Sequence, residues 1–209
     1  MAAQLDHLII GGPDLDDLEA YVEEQLGVAP RRGGSHPGWG TRNSLVGLGG
    51  RQYLELVAPD PDQPDPEHAR SFRVDELTEP TLVGWAVRVD DVGSVVAHAR
   101  EQGYDPGEPF GMSRRTADGR ELAWQMTPTD TGRTRAVPFL IDWGQTPHPS
   151  EGLPAVLLQT FRIKHPQAPE LNAAFKALGV ARGPIQLRVG EPVRLSAVLM
   201  TESGRVELG

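Results

Sequence analysis

The sequence predicts an α+β fold built from a repeated unit, and three observations carry that prediction. An order of strand, helix, irregular strand, strand, strand runs over residues 4–59 and again over 81–144. The two helices end alike, with Glu24-Gln25-Leu26-Gly27 in the first and Glu101-Gln102-Gly103 in the second. Between the units lies a linker over residues 60–80, "DPDQPDPEHARSFRVDELTEP", whose prolines and acids prevent continuous structure between Pro59 and Pro66. Such repetition identifies architecture more firmly than it identifies chemistry.

Each element has a local reason. "LDHLIIGG", Leu5 to Gly12, reads as a strand, and strict alternation puts Leu5, His7 and Ile9 on one face. Asp14 is placed to cap a helix whose Leu15, Leu18, Val22 and Leu26 recur at near-helical spacing, and Gly27 stops it. Ala29 to Gly40, rich in Gly, Pro and Arg, reads as irregular strand or loop. "TRNSLVGLG" and "RQYLELVAP" form two strands joined at Gly49-Gly50. The second unit restarts with the strand "TLVGWAVRV" and a helix capped near Asp90 or Asp91. An irregular stretch, "EPFGMSRRTADG", follows with a turn at Asp118-Gly119, then the strands "RELAWQMTP" and "VPFLIDWG". A shorter βαβ-type unit occupies 151–209: "AVLLQTFRIKH", the helix "APELNAAFKALGV", then three short strands.

Composition narrows the function. The chain has 209 residues, 38% of them hydrophobic, enough for a sizeable core. A formal net charge of −9 disfavours nucleic acid and anionic lipid as partners. No apolar run approaches the ~20 residues of a membrane span, and no signal peptide is visible. The absence of cysteine rules out disulfides and zinc-thiolate sites and fits a cytoplasmic location. No P-loop, GxGxxG or HExxH pattern is present. A small-molecule ligand is the expected partner, and a homodimer is left open.

The paired units, with His7 in a first strand and Glu55 in a fourth, resemble the vicinal oxygen chelate superfamily of glyoxalase I, extradiol dioxygenases and bleomycin-resistance proteins. "DHLIIGGPDLD", "HPGWGTRN", "YLELVAP", "GWAVRVDD" and "PFLIDWG" are similar to bacterial glyoxalase-like domain proteins. The resemblance implies that tandem βαβββ modules, with curved mixed sheets, form a cup within residues 1–150, and that 151–209 packs on it. It also implies a divalent metal (Zn, Ni, Mn or Fe) bound from the first and fourth strands of each module. His7, Glu55 and Asp142 match three such positions; Gly84 or Trp85 stands where a second histidine belongs. One nitrogen and two oxygens suit such an ion, with water completing its shell. Alternatively, Glu55 and Asp142 are strand carboxylates satisfied by arginine or backbone.

His36, in "GGSHPGWGTRN", is read as a ligand or acid/base at the rim of the cup, and Glu55 as a candidate base. Arg42 and Asn43 are read as orienting a ligand oxygen. Trp85 and Trp124 are candidates for the pocket wall, Trp124 sharing its face with Leu122 and Met126. Arg114-Arg115 reads as a solvated pair, and His148 as a weak pocket candidate. The expected activity is a metal-assisted lyase or isomerase acting on vicinal oxygens; the rival is a non-catalytic, drug-sequestering protein of the same superfamily.

Overall fold

The computed structural model describes residues 2–116, 119, 121–129 and 135–209; Asp118 of the anticipated turn lies outside them. The first unit comprises β1 (Gln4–Gly11), α1 (Leu15–Leu26), β2 (Arg31–His36), β3 (Thr41–Gly47) and β4 (Tyr53–Pro59). A 3₁₀ turn over Ser71–Glu76 interrupts the linker. The second unit comprises β5 (Thr81–Arg88), α2 (Val92–Glu101), β6 (Phe110–Thr116), β7 (Glu121–Met126) and β8 (Phe139–Asp142). The last unit comprises β9 (Leu157–His165), α3 (Ala168–Ala177), β10 (Ile185–Val189), β11 (Arg194–Thr201) and β12 (Gly204–Leu208).

The helices start and stop where their residues dictate. Asp14 accepts the backbone N–H groups of Asp16 and Asp17, and Gly27 ends α1 at φ 70°, a left-handed conformation that favours glycine. Asp91 caps α2 through Ser94 N–H. The two stretches read as irregular are strands after all: β2 and β6 pair antiparallel at Gly34–Thr116 and Ser35–Arg115. That pairing seals one seam between the units. The other is the antiparallel pair β1–β5.

The result is a closed eight-stranded barrel in the order β1-β4-β3-β2-β6-β7-β8-β5. Swapping the units reproduces the same order, as a pseudo-two-fold arrangement requires. β9–β12 form a second sheet, ordered β10-β9-β11-β12. In it β10 pairs directly with β9, in parallel across α3, whereas in the first unit β1 pairs in parallel with β4.

Two apolar layers follow from this closure. The larger lies outside the barrel wall, under the helices and second sheet, and contains Leu8, Ile10, Trp85, Phe161 and Phe175. The smaller lies inside and contains Ile9, Tyr53, Val57, Phe139 and Ile141. Strands sandwiched between two layers bury both faces, so β1 is buried from Leu5 to Gly11. Among the described residues no helix is long and apolar enough to cross a membrane.

Candidate active site

A cavity of about 550 Å³, its mouth included, runs into the barrel. Its polar wall is His7, His36, Thr41, Asn43, Glu55 and Arg114; its apolar wall includes Phe72, Met112, Trp124, Phe139, Ile141 and Trp143. Glu55 is the only acid among the described lining residues.

The first strand places His7 by an irregularity. Leu5 pairs with Val87 and His7 with Ala86, so Asp6 is an extra residue in a β-bulge. Strict alternation fails there. Leu5 belongs to the outer layer, while Asp6 and His7 both reach the interior, where Asp6 is fully buried. His7 Nδ1 lies 2.7 Å from Asp6 Oδ1. Its ring stacks on Tyr53, the centroids 4.6 Å apart and the planes at 19°. Its Nε2 lies 3.4 Å from Glu55 Oε2.

Glu55 is held from its other oxygen. Asn43 Nδ2 donates to Oε1 at 2.6 Å, and His36 Nε2 lies 3.9 Å from the same atom. Asn43 Oδ1 in turn accepts from Gly34 N–H and from Arg114 Nη1, each at 3.1 Å. Glycine at residue 33 leaves room for this arrangement, because a Cβ would lie 2.0 Å from Arg114 Nη1 and 2.1 Å from Asn43 Oδ1 and would displace them. Arg114 is therefore a buried cavity residue, not half of a solvated pair. Its face of β6 also carries Met112, a signal that reading the segment as irregular concealed.

Burial dominates the electrostatics. It pushes the Tyr53 phenol well above its usual value, with Asp6 and Glu55 adding to the effect. It lowers Arg114, opposed by Tyr53 and Glu55. Asp6 goes the other way: burial raises it, but hydrogen bonds from His148 and His7 outweigh that and hold it at about 2.

His36 is buried inside the cavity, not at its rim, with Nδ1 2.9 Å from Thr41 Oγ1. Burial lowers it from 6.5 to about 4, against the opposing pull of Glu55. Below pH 6.5 the unfolded chain takes up a proton that the native ring refuses, so stability falls as pH drops. The expected loss between pH 6.5 and 4 is about 3 kcal/mol. Urea unfolding at pH 7, 5.5 and 4 checks this, and His36→Phe should remove that part of the slope.

Three anticipated residues lie elsewhere. Asp142 points out of the barrel, where Oδ2 accepts Val92 N–H at 3.3 Å at the start of α2 and Oδ1 accepts Gly144 N–H at 2.9 Å. Ile141 takes the inward position beside it. Trp85 packs in the outer layer, 5.4 Å from Phe161 and 5.3 Å from Phe175 between centroids, and donates to Ala136 O. Arg42 lines an outer groove with Arg32, Asp60 and Arg115. Its Nε is buried without a hydrogen-bond partner.

The expected ligand set is therefore not assembled. A side chain at Gly84 would meet Phe72, with Cβ 2.9 Å from Cε1, so Phe72 fills the space a second-module histidine needs. Phe72 itself holds a left-handed φ of 59° in the 3₁₀ turn, a conformation costly for a bulky residue. Among the described residues no three His, Asp or Glu side chains group to hold a metal ion. The expected set of His7, Glu55 and Asp142 does not fit the implied ion, because Asp142 serves backbone N–H groups away from the other two.

Asp6, Tyr53 and His148 complete the site; of these, the sequence singles out only His148, as a weak pocket candidate. His148, beyond β8, places Nε2 2.9 Å from Asp6 Oδ2 and Nδ1 2.7 Å from Ser150 Oγ.

The fold recurs in a solved structure. A protein from Staphylococcus aureus described as hypothetical superposes with a TM-score of 0.69 at 15% identity, over 91% of this chain and 88% of that one. A Streptomyces coelicolor methylmalonyl-CoA epimerase variant in complex with 2-nitronate-propionyl-CoA gives 0.46 at 20% identity, over 68% and 98%. The Mycobacterium tuberculosis methylmalonyl-CoA epimerase gives 0.44 at 21%, over 68% and 88%. The search of curated proteins returned no match. The glyoxalase-like domain family profile matches residues 5–179, from β1 past the end of α3. The chain belongs to the glyoxalase-like domain family, within the vicinal oxygen chelate superfamily.

Proposed function

We propose that the protein is an enzyme that moves a proton on a small, oxygen-bearing molecule, in lyase or isomerase chemistry beside a carbonyl group. The observation that carries this reading is Glu55. It is the only acid among the described lining residues, with His7 Nε2 on one oxygen and Asn43 and His36 on the other. A carboxylate held this way on a barrel strand is a pre-organised base.

In this reading the substrate's apolar body lies against Trp124 and Phe139, and its carbonyl oxygen faces Arg114. Glu55 takes the proton from the carbon beside the carbonyl. The C–H electron pair forms a C=C bond as the carbonyl π pair moves onto its oxygen, and the resulting enolate is stabilised by the guanidinium in a cavity of low dielectric. His7, on the other side of Glu55, receives or returns the proton. No step is routed through a metal, because Asp142 accepts the Val92 N–H outside the cavity and Phe72 fills the space beside Gly84.

A panel of small 2-oxo, 2-hydroxy and 2-acyl compounds, incubated with chelator-treated protein in D₂O and followed by proton NMR, tests the proposal. Deuterium should appear beside the carbonyl of at least one member, and Glu55→Gln should slow that exchange by about 10²–10⁴-fold. Binding of panel members with neither exchange nor turnover would instead establish the sequestering reading, which the apolar Ile141 facing the cavity beside Asp142 and Phe72 packed against Gly84 favour.

A further inference from the structure

A buried chain of hydrogen bonds runs from Ser150 through His148 and Asp6 to His7, starting in a segment outside the repeated units. Ser150 supplies two contacts to His148 Nδ1: its Oγ at 2.7 Å and its backbone N–H at 3.3 Å. A backbone N–H can only donate, so His148 Nδ1 is a bare acceptor and the ring proton sits on Nε2. That Nε2–H donates to Asp6 Oδ2 at 2.9 Å. Trp143 Nε1–H adds a second donor to Asp6, 3.3 Å from Oδ2 and 3.4 Å from Oδ1. Asp6 thus has one oxygen turned to His148 and the other to His7 Nδ1 at 2.7 Å. As a carboxylate it only accepts, so His7 Nδ1 carries a proton and Nε2 faces Glu55.

We infer that His148 is a positioning residue: anchored by Ser150, it locks Asp6 and thereby sets which nitrogen of His7 faces the cavity. Tyr53 supports the same arrangement by stacking on His7 while meeting His148 edge-on at 5.8 Å. Nothing in the repeat predicts His148, because it lies past β8 and has no counterpart position in the first unit. The inference rests on the acid/base reading of His7 for its purpose, but not for its test.

Ring-nitrogen ¹⁵N shifts, assigned by long-range proton–nitrogen correlation on the full chain without substrate, give the test. In the native protein His148 should be bare at Nδ1 and protonated at Nε2, and His7 should show a solvent-protected Nδ1 proton. His148→Phe should lose that protected proton. His148→Gln, whose amide can donate to Asp6, should regain it. A native His7 that is bare at Nδ1 would overturn the inference whether or not the variants fold. So would a His148→Phe protein, folded by its amide spectrum, that keeps the His7 signal unchanged. Failure of the exchange screen leaves these shifts as they are, so the two readings fail separately.

Discussion

Asp6→Ala is expected to destabilise the protein by about 3–5 kcal/mol, the range seen when one partner of a buried charged network is removed. Asp6 is fully buried and satisfies His7, His148 and Trp143 at once. Truncation leaves three buried N–H donors without an acceptor, each costing about 1–3 kcal/mol. The midpoint of urea unfolding should fall with little change in slope. The pH dependence has a definite sign. The Asp6 carboxyl ordinarily titrates at 3.8 and is held at about 2 in the fold. Its contribution, about 2 kcal/mol, is present above pH 3.8 and lost as pH falls towards 2; the variant should lose that acid slope. Asp6→Asn separates charge from shape. Its amide can turn an N–H towards His7 Nδ1, which favours the opposite tautomer.

Trp85→Ala should cost about 3–5 kcal/mol, as large aromatic truncations in a packed core do. The indole is fully buried between the barrel wall and the second sheet, edge-on to Phe161 and Phe175. Its loss opens a cavity where the last unit covers β5 and also leaves Ala136 O without this donor. The second sheet should loosen first, so amide exchange in β9 and α3 should accelerate more than in β3 and β4. Uniform acceleration, or a cost under about 1 kcal/mol, would mean that the two layers are not coupled through this residue.

Alternation correctly grouped Leu122, Trp124 and Met126, because β7 is regular. It failed at β1, where the bulge brings Asp6 inward beside His7. It failed differently at β5 and β8. Both faces of those strands are buried, so apolar residues do not distinguish inside from outside. Asp142 interrupts β8 with a polar group, but that group serves the backbone of α2. Trp85 is large and apolar, but its partners come from a unit with a different pairing order. The β2–β6 seam was hidden by Gly and Arg, and with it the inward position of Arg114. The repeat and the helix caps were legible because each depends on local chemistry that recurs; the shared cavity, which depends on closure of the whole barrel, was implied only by the family resemblance.

The central claim is that His7 and Glu55 act as one acid/base unit, and a double-mutant cycle on the solvent-exchange rate tests it most directly. His7→Gln and Glu55→Gln should each slow exchange by about 10²–10⁴-fold, and the double variant should be scarcely slower than the worse single one, as for groups that work together. Multiplicative losses would contradict the claim and leave two independent side chains that happen to lie 3.4 Å apart.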